Sequence, residues 1–226
     1  MKQLIRSIPV VGPIFLRIYR KSINTLKPFP GSNNYWMHRY EDGRNSGDGS
    51  YNRLSRFKSE IINEFIRENE IKTVIEYGCG DGNQLRLARY PSYIGFDISP
   101  KTISKCKERF SNGDTKTFKL MKEYDRETAE LTLSLDVIYH LVEDGVFADY
   151  MNRLFDSSNG FVIIYSSNTD ENPEEQPAHI KHRTFSKWIK ENKPNWKLLR
   201  HIPNKYPFTG DTRTGSFADF FIYKKD

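Results

Sequence analysis

Residues 74–85 read VIEYGCGDGNQL, in which Val74, Ile75, Glu76 and Tyr77 run straight into three glycines spaced two apart, Gly78, Gly80 and Gly82. β-Branched and aromatic side chains favour extended backbone, and glycine reaches positive φ without steric cost. The stretch therefore reads as a buried strand that ends in a tight turn. Outward from it the chain alternates: apolar runs at 73–77, 93–98, 117–121, 131–135 and 161–165 read as strands, and helical stretches separate most of them. Ser99 and Pro100 form a cap and first-turn pair for a helix with Ile103, Cys106 and Phe110 on one face. Upstream, Leu54, Phe57, Ile61 and Phe65 recur at helical spacing. Strands alternating with helices predict an α/β, doubly wound, mostly parallel sheet covered on both faces. WKLLRHI (196–202) and FADFFIY (217–223) have no helix between them, which predicts an antiparallel pair at one edge.

At 226 residues the chain suits one substantial core. Its two cysteines, Cys79 and Cys106, make neither a disulfide framework nor a paired zinc motif, so a reducing, cytoplasmic compartment is expected. Residues 1–40 hold seven basic side chains and no acid, while the remaining 186 residues carry 28 basic and 29 acidic groups. A nucleic-acid enzyme would spread its basic surface over the catalytic face, so no nucleic-acid partner is expected. Residues 1–30 read instead as a basic amphipathic arm, placed either on the inner face of an anionic membrane or against protein. Its apolar run, broken by Pro9, Gly12 and Pro13, is too short to span a bilayer.

In an open parallel sheet, ligands sit beyond the carboxyl ends of the strands, where the first strand turns into its helix. Gly78, Gly80 and Gly82 lack the spacing of a dinucleotide fingerprint, and no Gly-Lys-Ser/Thr completes a P-loop. The glycines are expected to bring backbone N–H groups close to a ligand.

With Glu76 ahead of it, the turn resembles motif I of the class I S-adenosylmethionine-dependent methyltransferases, E/D-x-G-x-G-x-G. The resemblance covers residues 35–226 and implies a seven-stranded Rossmann-like sheet with an antiparallel last strand. It implies S-adenosylmethionine as cofactor, with Glu76, Gly78, Cys79, Gly80 and Gly82 at its amino-acid end. Asp97, fifteen residues past Gly82, would take the ribose hydroxyls beside Ile98, because a carboxylate accepts from both members of a diol. Residues 121–125, with Met121 first, would flank the adenine.

YWMHRYEDGRNSGDGSYNRL (35–54), SLDVIYHLVED (134–144) and GSFADFFIYKK (215–225) are similar to a bacterial subgroup associated with surface-polysaccharide and other glycan loci. That likeness implies a domain over 31–226 with a lid loop at 35–52, in which Tyr35, Arg39, Ser46, Gly47 and Tyr51 contact the cofactor. It also implies an acceptor-side insertion at 167–184.

After the fourth strand, no Asp/Asn-Pro-Pro-aromatic tetrad is present, which argues against methylation of base nitrogens. His140 is a candidate general base, because imidazole titrates near working pH; the alternative is a helix-capping or supporting histidine. Asp136 either orients it or faces the methyl pocket, and Glu143 and Asp144 read as solvated helix residues. Tyr139, His179, His182, Arg183 and Arg213 are expected at an anionic or polyhydroxylated acceptor, with His179 and His182 also open as the base. The alternative for the insertion is a solvated loop whose basic end precedes a helix. No metal is expected, since nothing near the two histidines completes a ligand set. The expected activity is methyl transfer to a sugar hydroxyl or phosphoryl-type oxygen of a bacterial cell-surface glycan or its precursor. The alternatives are small-molecule O-methylation and a non-catalytic cofactor-binding module that tethers a glycan-assembly partner.

Overall fold

The computed structural model describes residues 28–226. The basic arm and its membrane contact, expected over residues 1–30, lie almost wholly outside them. Residues Ser32–Asp226 fold as one compact unit. Its helices are α1 (Ser32–Glu41), α2 (Asn52–Glu68), α3 (Pro100–Arg109), α4 (Asp144–Asp156) and α5 (Phe185–Asn192). Its strands are β1 (Thr73–Tyr77), β2 (Ser92–Asp97), β3 (Lys116–Leu120), β4 (Ala129–Leu135), β5 (Ser158–Ser166), β6 (Trp196–Ile202) and β7 (Asp219–Lys225). They form one seven-stranded sheet in the order β3-β2-β1-β4-β5-β7-β6. β1 to β5 pair in parallel, while β7 runs antiparallel between β5 and β6.

Successive strand residues point to opposite faces, and the core divides accordingly. Val74, Leu131, Leu133, Ile163 and Phe220 pack on one face with Phe57, Ile62 and Phe65 of α2. Ile75, Val162, Ile164 and Phe221 pack on the other with Phe147, Met151 and Leu154 of α4 and Phe185 of α5. Ser99 caps α3 as its sequence predicts, its Oγ accepting from Thr102 N. Among the described residues no helix is long and apolar enough to cross a membrane.

The strand order reverses at β1, which has β2 on one side and β4 on the other. That reversal opens a crevice at the carboxyl ends of the two strands, between Gly78 and Asp136.

The expected lid loop differs from its reading. Its first part is α1, although only Met37, Arg39 and Glu41 of SNNYWMHRYE are strong helix formers. Tertiary contacts supply the difference: Ser32 N and Oγ donate to Glu143, at 2.8 and 2.5 Å. Glu143, read as a solvated residue, thus places a carboxylate at the amino end of α1, where the helix dipole favours it.

Candidate functional site

A cavity of about 290 Å³ fills the crevice. Glu76, Gly78, Cys79, Gly80, Asp97, Ile98, Met121, Asp136, His140 and Ser46, all expected from sequence, line it. Trp36 and Tyr40 of α1, Lys58 of α2, Gln84, and Tyr150 of α4 also line it and were not expected. Gly82, Tyr35, Arg39, Gly47, Tyr51, Tyr139, His179, His182, Arg183 and Arg213 lie outside this lining.

The three glycines all hold positive φ, +81°, +57° and +71° in order. A Cβ on Gly78 would lie 2.6 Å from Val137 Cγ2, and one on Gly82 2.9 Å from Cys106 Sγ. One on Gly80 would meet Ser46 Oγ. The turn is thus shaped to let three other segments close onto it. Its N–H groups, expected to face a ligand, are engaged within the protein. Gly78 and Cys79 donate to Phe96 O at 2.7 and 3.0 Å, and Gly82 to Cys79 O at 3.3 Å. Gly80 donates to Asp97 Oδ2 at 3.0 Å and Asp81 to Ser46 Oγ at 2.9 Å. No ligand is needed to satisfy them, because the end of β2 lies within reach.

What the cavity offers is acceptors. Asp97 is buried and accepts from Gly80 N, Ser99 N and Thr102 Oγ1, which uses three of a carboxylate's roughly four lone-pair positions. Glu76 accepts one hydrogen bond among the described residues, from Tyr93 OH at 2.7 Å. Burial pushes Glu76 up to about 7, although Tyr93 and Lys58 pull it back. A lining rich in carboxylates, with its backbone donors engaged, suits a ligand that carries cationic and hydroxyl donors. S-Adenosylmethionine, with its sulfonium, ammonium and ribose, is such a ligand, and its residues fit here.

The Glu76 shift predicts a pH dependence. A carboxyl raised from 4.5 to about 7 stabilises the fold through its neutral form. That contribution is complete below pH 4.5 and is lost as pH rises through 7, on the order of 3 kcal/mol in all. Thermal unfolding of the cofactor-free protein is expected to shift downward between pH 5 and 7.5, and Glu76→Gln to flatten the slope. An equal slope in both proteins would assign the dependence elsewhere.

The segment 42–51 is pinned over the glycine turn through Asp81, which no sequence signal singled out. Asp81 Oδ2 accepts from Ser46 N and Tyr51 OH at 3.1 and 2.7 Å, and Oδ1 accepts from Asn83 N. Burial raises Asp81, yet these bonds outweigh it and hold the carboxyl below its ordinary value. Tyr51, beside that charge and partly buried, is pushed up to about 12. Arg39 donates to Asn45 O at 2.9 Å and lies 5.4 Å from the centre of the Trp36 ring.

At the end of β4, Asp136 adopts φ +60°. Lys58 Nζ donates to its Oδ2 at 2.6 Å and Tyr139 OH to its Oδ1 at 2.8 Å. Each oxygen thereby accepts one hydrogen bond, and His140 is oriented by another group. Its Nδ1 lies 3.0 Å from His179 O. A carbonyl only accepts, so Nδ1 carries the proton and Nε2 keeps its lone pair. Burial pushes His140 down to about 3, the bond to His179 O opposing it more weakly. His179 stacks on Tyr35, with centroids 4.3 Å apart, and lies 5.4 Å from His140. Burial first, then the charges of Arg39 and Arg44, hold His179 down to about 4.

The insertion is fastened to this segment. Lys181 N donates to Tyr139 O, and Arg183 donates to Leu141 O, Val142 O and Asp144. Arg183 is therefore a clamp across the insertion, and Asp144, exposed as expected, is held down to about 2 by Lys181 and Arg183. His182 Nδ1 meets Ser167 Oγ at 2.6 Å, and burial lowers its pKa. Arg213 pairs with Asp211 on an exposed loop. Among the described residues no three His, Cys, Asp or Glu group to hold a metal ion.

Residues 68–205 match a family model described as a methyltransferase domain. A curated protein from Arabidopsis thaliana, a small RNA 2'-O-methyltransferase, is 27% identical over 203 residues, covering 74% of this chain. The chain spans 22% of that relative's length. Among solved structures, the methyltransferase domain of bacterial CtHen1-C is similar with a TM-score of 0.59 and 17% identity, covering 74% of this chain and 96% of that one. Magnesium protoporphyrin IX methyltransferase (ChlM) from Synechocystis PCC 6803, with bound SAH, is similar with a TM-score of 0.61 and 17% identity, covering 86% and 98%. At these identities the two structures bear on the fold.

Proposed function

The chain belongs to the methyltransferase-domain family and uses S-adenosylmethionine; from that premise we propose that it methylates a sugar hydroxyl of a bacterial cell-surface glycan or its precursor. The observation that carries the reading is the placement of His140. A hydroxyl must lose its proton as it gains the methyl group, and His140 lines the cavity with Nδ1 held by His179 O, which leaves Nε2 as the ring nitrogen to accept that proton.

The cofactor supplies a methyl carbon already activated by positive sulfur. The protein's part is then positional and electrostatic. Glu76 and Asp97 would hold donors of the cofactor, and the 42–51 segment, latched by Asp81, covers the glycine turn. His140, held by His179 O, receives the proton. Trp36 lies 4.7 Å from His140 and Tyr139 4.5 Å, while Tyr35 stacks on His179. Of these rings Trp36 and His140 line the cavity, and an aromatic face there suits the apolar face of a sugar ring.

A second reading, methylation of a ribose hydroxyl in RNA, is favoured by the likeness to the small RNA 2'-O-methyltransferase. The chemistry at oxygen is the same, and the acceptor differs. Incubation with methyl-labelled cofactor separates the two. Label is expected in a capsule or lipopolysaccharide fraction and released with methylated sugar; label in RNA would replace the glycan reading. Label on nitrogen, or cofactor binding with no transfer to any fraction, would overturn O-methylation.

A further inference from the structure

Gln84 opens the short 3₁₀ turn that follows the glycines, Gln84–Leu87. It is 6% exposed and lines the cavity. Its Nε2 donates to Ser55 O at 3.0 Å and to Ser59 Oγ at 2.8 Å, both on α2. Since Ser55 O can only accept, the amide has a single consistent orientation. Oε1 is left buried with no partner among the described residues. An unpaired buried acceptor is costly, so a ligand donor that reaches it is favoured.

The chemistry of that donor follows from its neighbours. Glu76 lines the same cavity with one hydrogen bond accepted, and the N–H groups of the turn are engaged. Two under-used acceptors beside no free backbone donor select an ammonium, which has three N–H groups and no lone pair. We propose that Gln84 Oε1, together with Glu76, binds the ammonium of the cofactor's amino-acid tail, and that Gln84 makes the site selective for tailed ligands. Gln84 then joins α2 to the cofactor, its Nε2 on the helix and its Oε1 on the ligand. The proposal rests on S-adenosylmethionine being the cofactor.

The test is calorimetric binding of S-adenosylhomocysteine and of 5'-methylthioadenosine, which lacks the amino-acid tail. Gln84→Met is expected to weaken S-adenosylhomocysteine about tenfold or more, the worth of one hydrogen bond to a charged group, and to change 5'-methylthioadenosine by less than about threefold. Ser59→Ala, which removes a partner of Nε2 and leaves Oε1, is expected to spare both. Equal weakening of both ligands by Gln84→Met would make Gln84 a support for the turn and overturn the proposal, as would no weakening of either. Failure of the wild-type protein to bind either ligand would instead strike the cofactor assignment. A crystal structure of the wild-type protein with S-adenosylhomocysteine gives a check that needs no variant. The tail nitrogen is expected within hydrogen-bond distance of Oε1, and a water in its place would refute the contact.

Discussion

Replacing Lys58 with methionine is expected to destabilise the protein by about 3–5 kcal/mol, the usual consequence of removing one partner of a buried ion pair. The Lys58 side chain is 1% exposed, and its Nζ lies 2.6 Å from Asp136 Oδ2. Methionine preserves most of the packing but leaves the Asp136 carboxylate with Tyr139 OH alone, in a low-dielectric pocket. The ammonium also lies 5.1 Å from the centre of the Tyr165 ring, so a smaller cation–π contribution is lost with it. Asp136→Asn is expected to cost less, because the amide oxygen can still accept from Lys58 Nζ. The double variant should recover most of the Lys58→Met loss, since a neutral amide beside a thioether leaves no charge unpaired. Urea unfolding of the two single variants and the double closes the cycle. A Lys58→Met loss below about 1 kcal/mol, or losses that simply add, would mean that the pair is solvated and contributes little.

Lys58 also marks how far the sequence could be read. Periodicity placed α2, and the same helical stripe that holds Leu54, Phe57, Ile62 and Phe65 includes position 58. A lysine on an apolar stripe is itself a signal of a buried partner, but naming Asp136, 78 residues away, needs the fold. The sheet was legible because strand and helix periods alternate and because β6 and β7 lack a helix between them. The glycine turn was legible as a turn. Its hydrogen bonding was not, since Phe96 O and Asp97 reach it only after β2 pairs with β1. α1 was hidden for a similar reason: its polar sequence has little intrinsic helicity, and it is held by Glu143 and by the packing of Trp36 and Tyr40 against each other. The basic residues of the insertion were grouped by their proximity in sequence. Arg183, however, turns inward to carbonyls that only the folded chain presents.

Substituting His140 by asparagine is expected to lower kcat by about 10²–10⁴-fold, the range for a general base in proton transfer, while cofactor affinity stays within a few-fold. Asparagine retains an N–H donor toward His179 O and lacks a basic nitrogen, so it separates base chemistry from positioning. If the acceptor were an amine, the loss would be below about tenfold, because an amine attacks through a lone pair it already has. The pH profile adds a second constraint. Burial holds His140 down to about 3, so the imidazole stays neutral through the whole working range and its active form is not lost until strongly acid pH. At saturating cofactor, kcat is therefore expected to be flat from pH 8 to 5. By contrast, kcat/KM for the cofactor should fall as pH drops through 7, because Glu76, raised to about 7, gains a proton and no longer attracts an ammonium. An acid limb in kcat near 6.5 would show an ordinary, solvated imidazole and contradict the burial of His140. A base this weak still suffices for transfer to oxygen. A free hydroxyl holds its proton far too tightly for it, but an oxygen that has begun to bond to carbon is a strong acid, so the proton moves late and downhill. The same burial that weakens the imidazole keeps it unprotonated beside a cationic cofactor, where a solvated histidine near neutral pH would spend part of its time charged and unable to act.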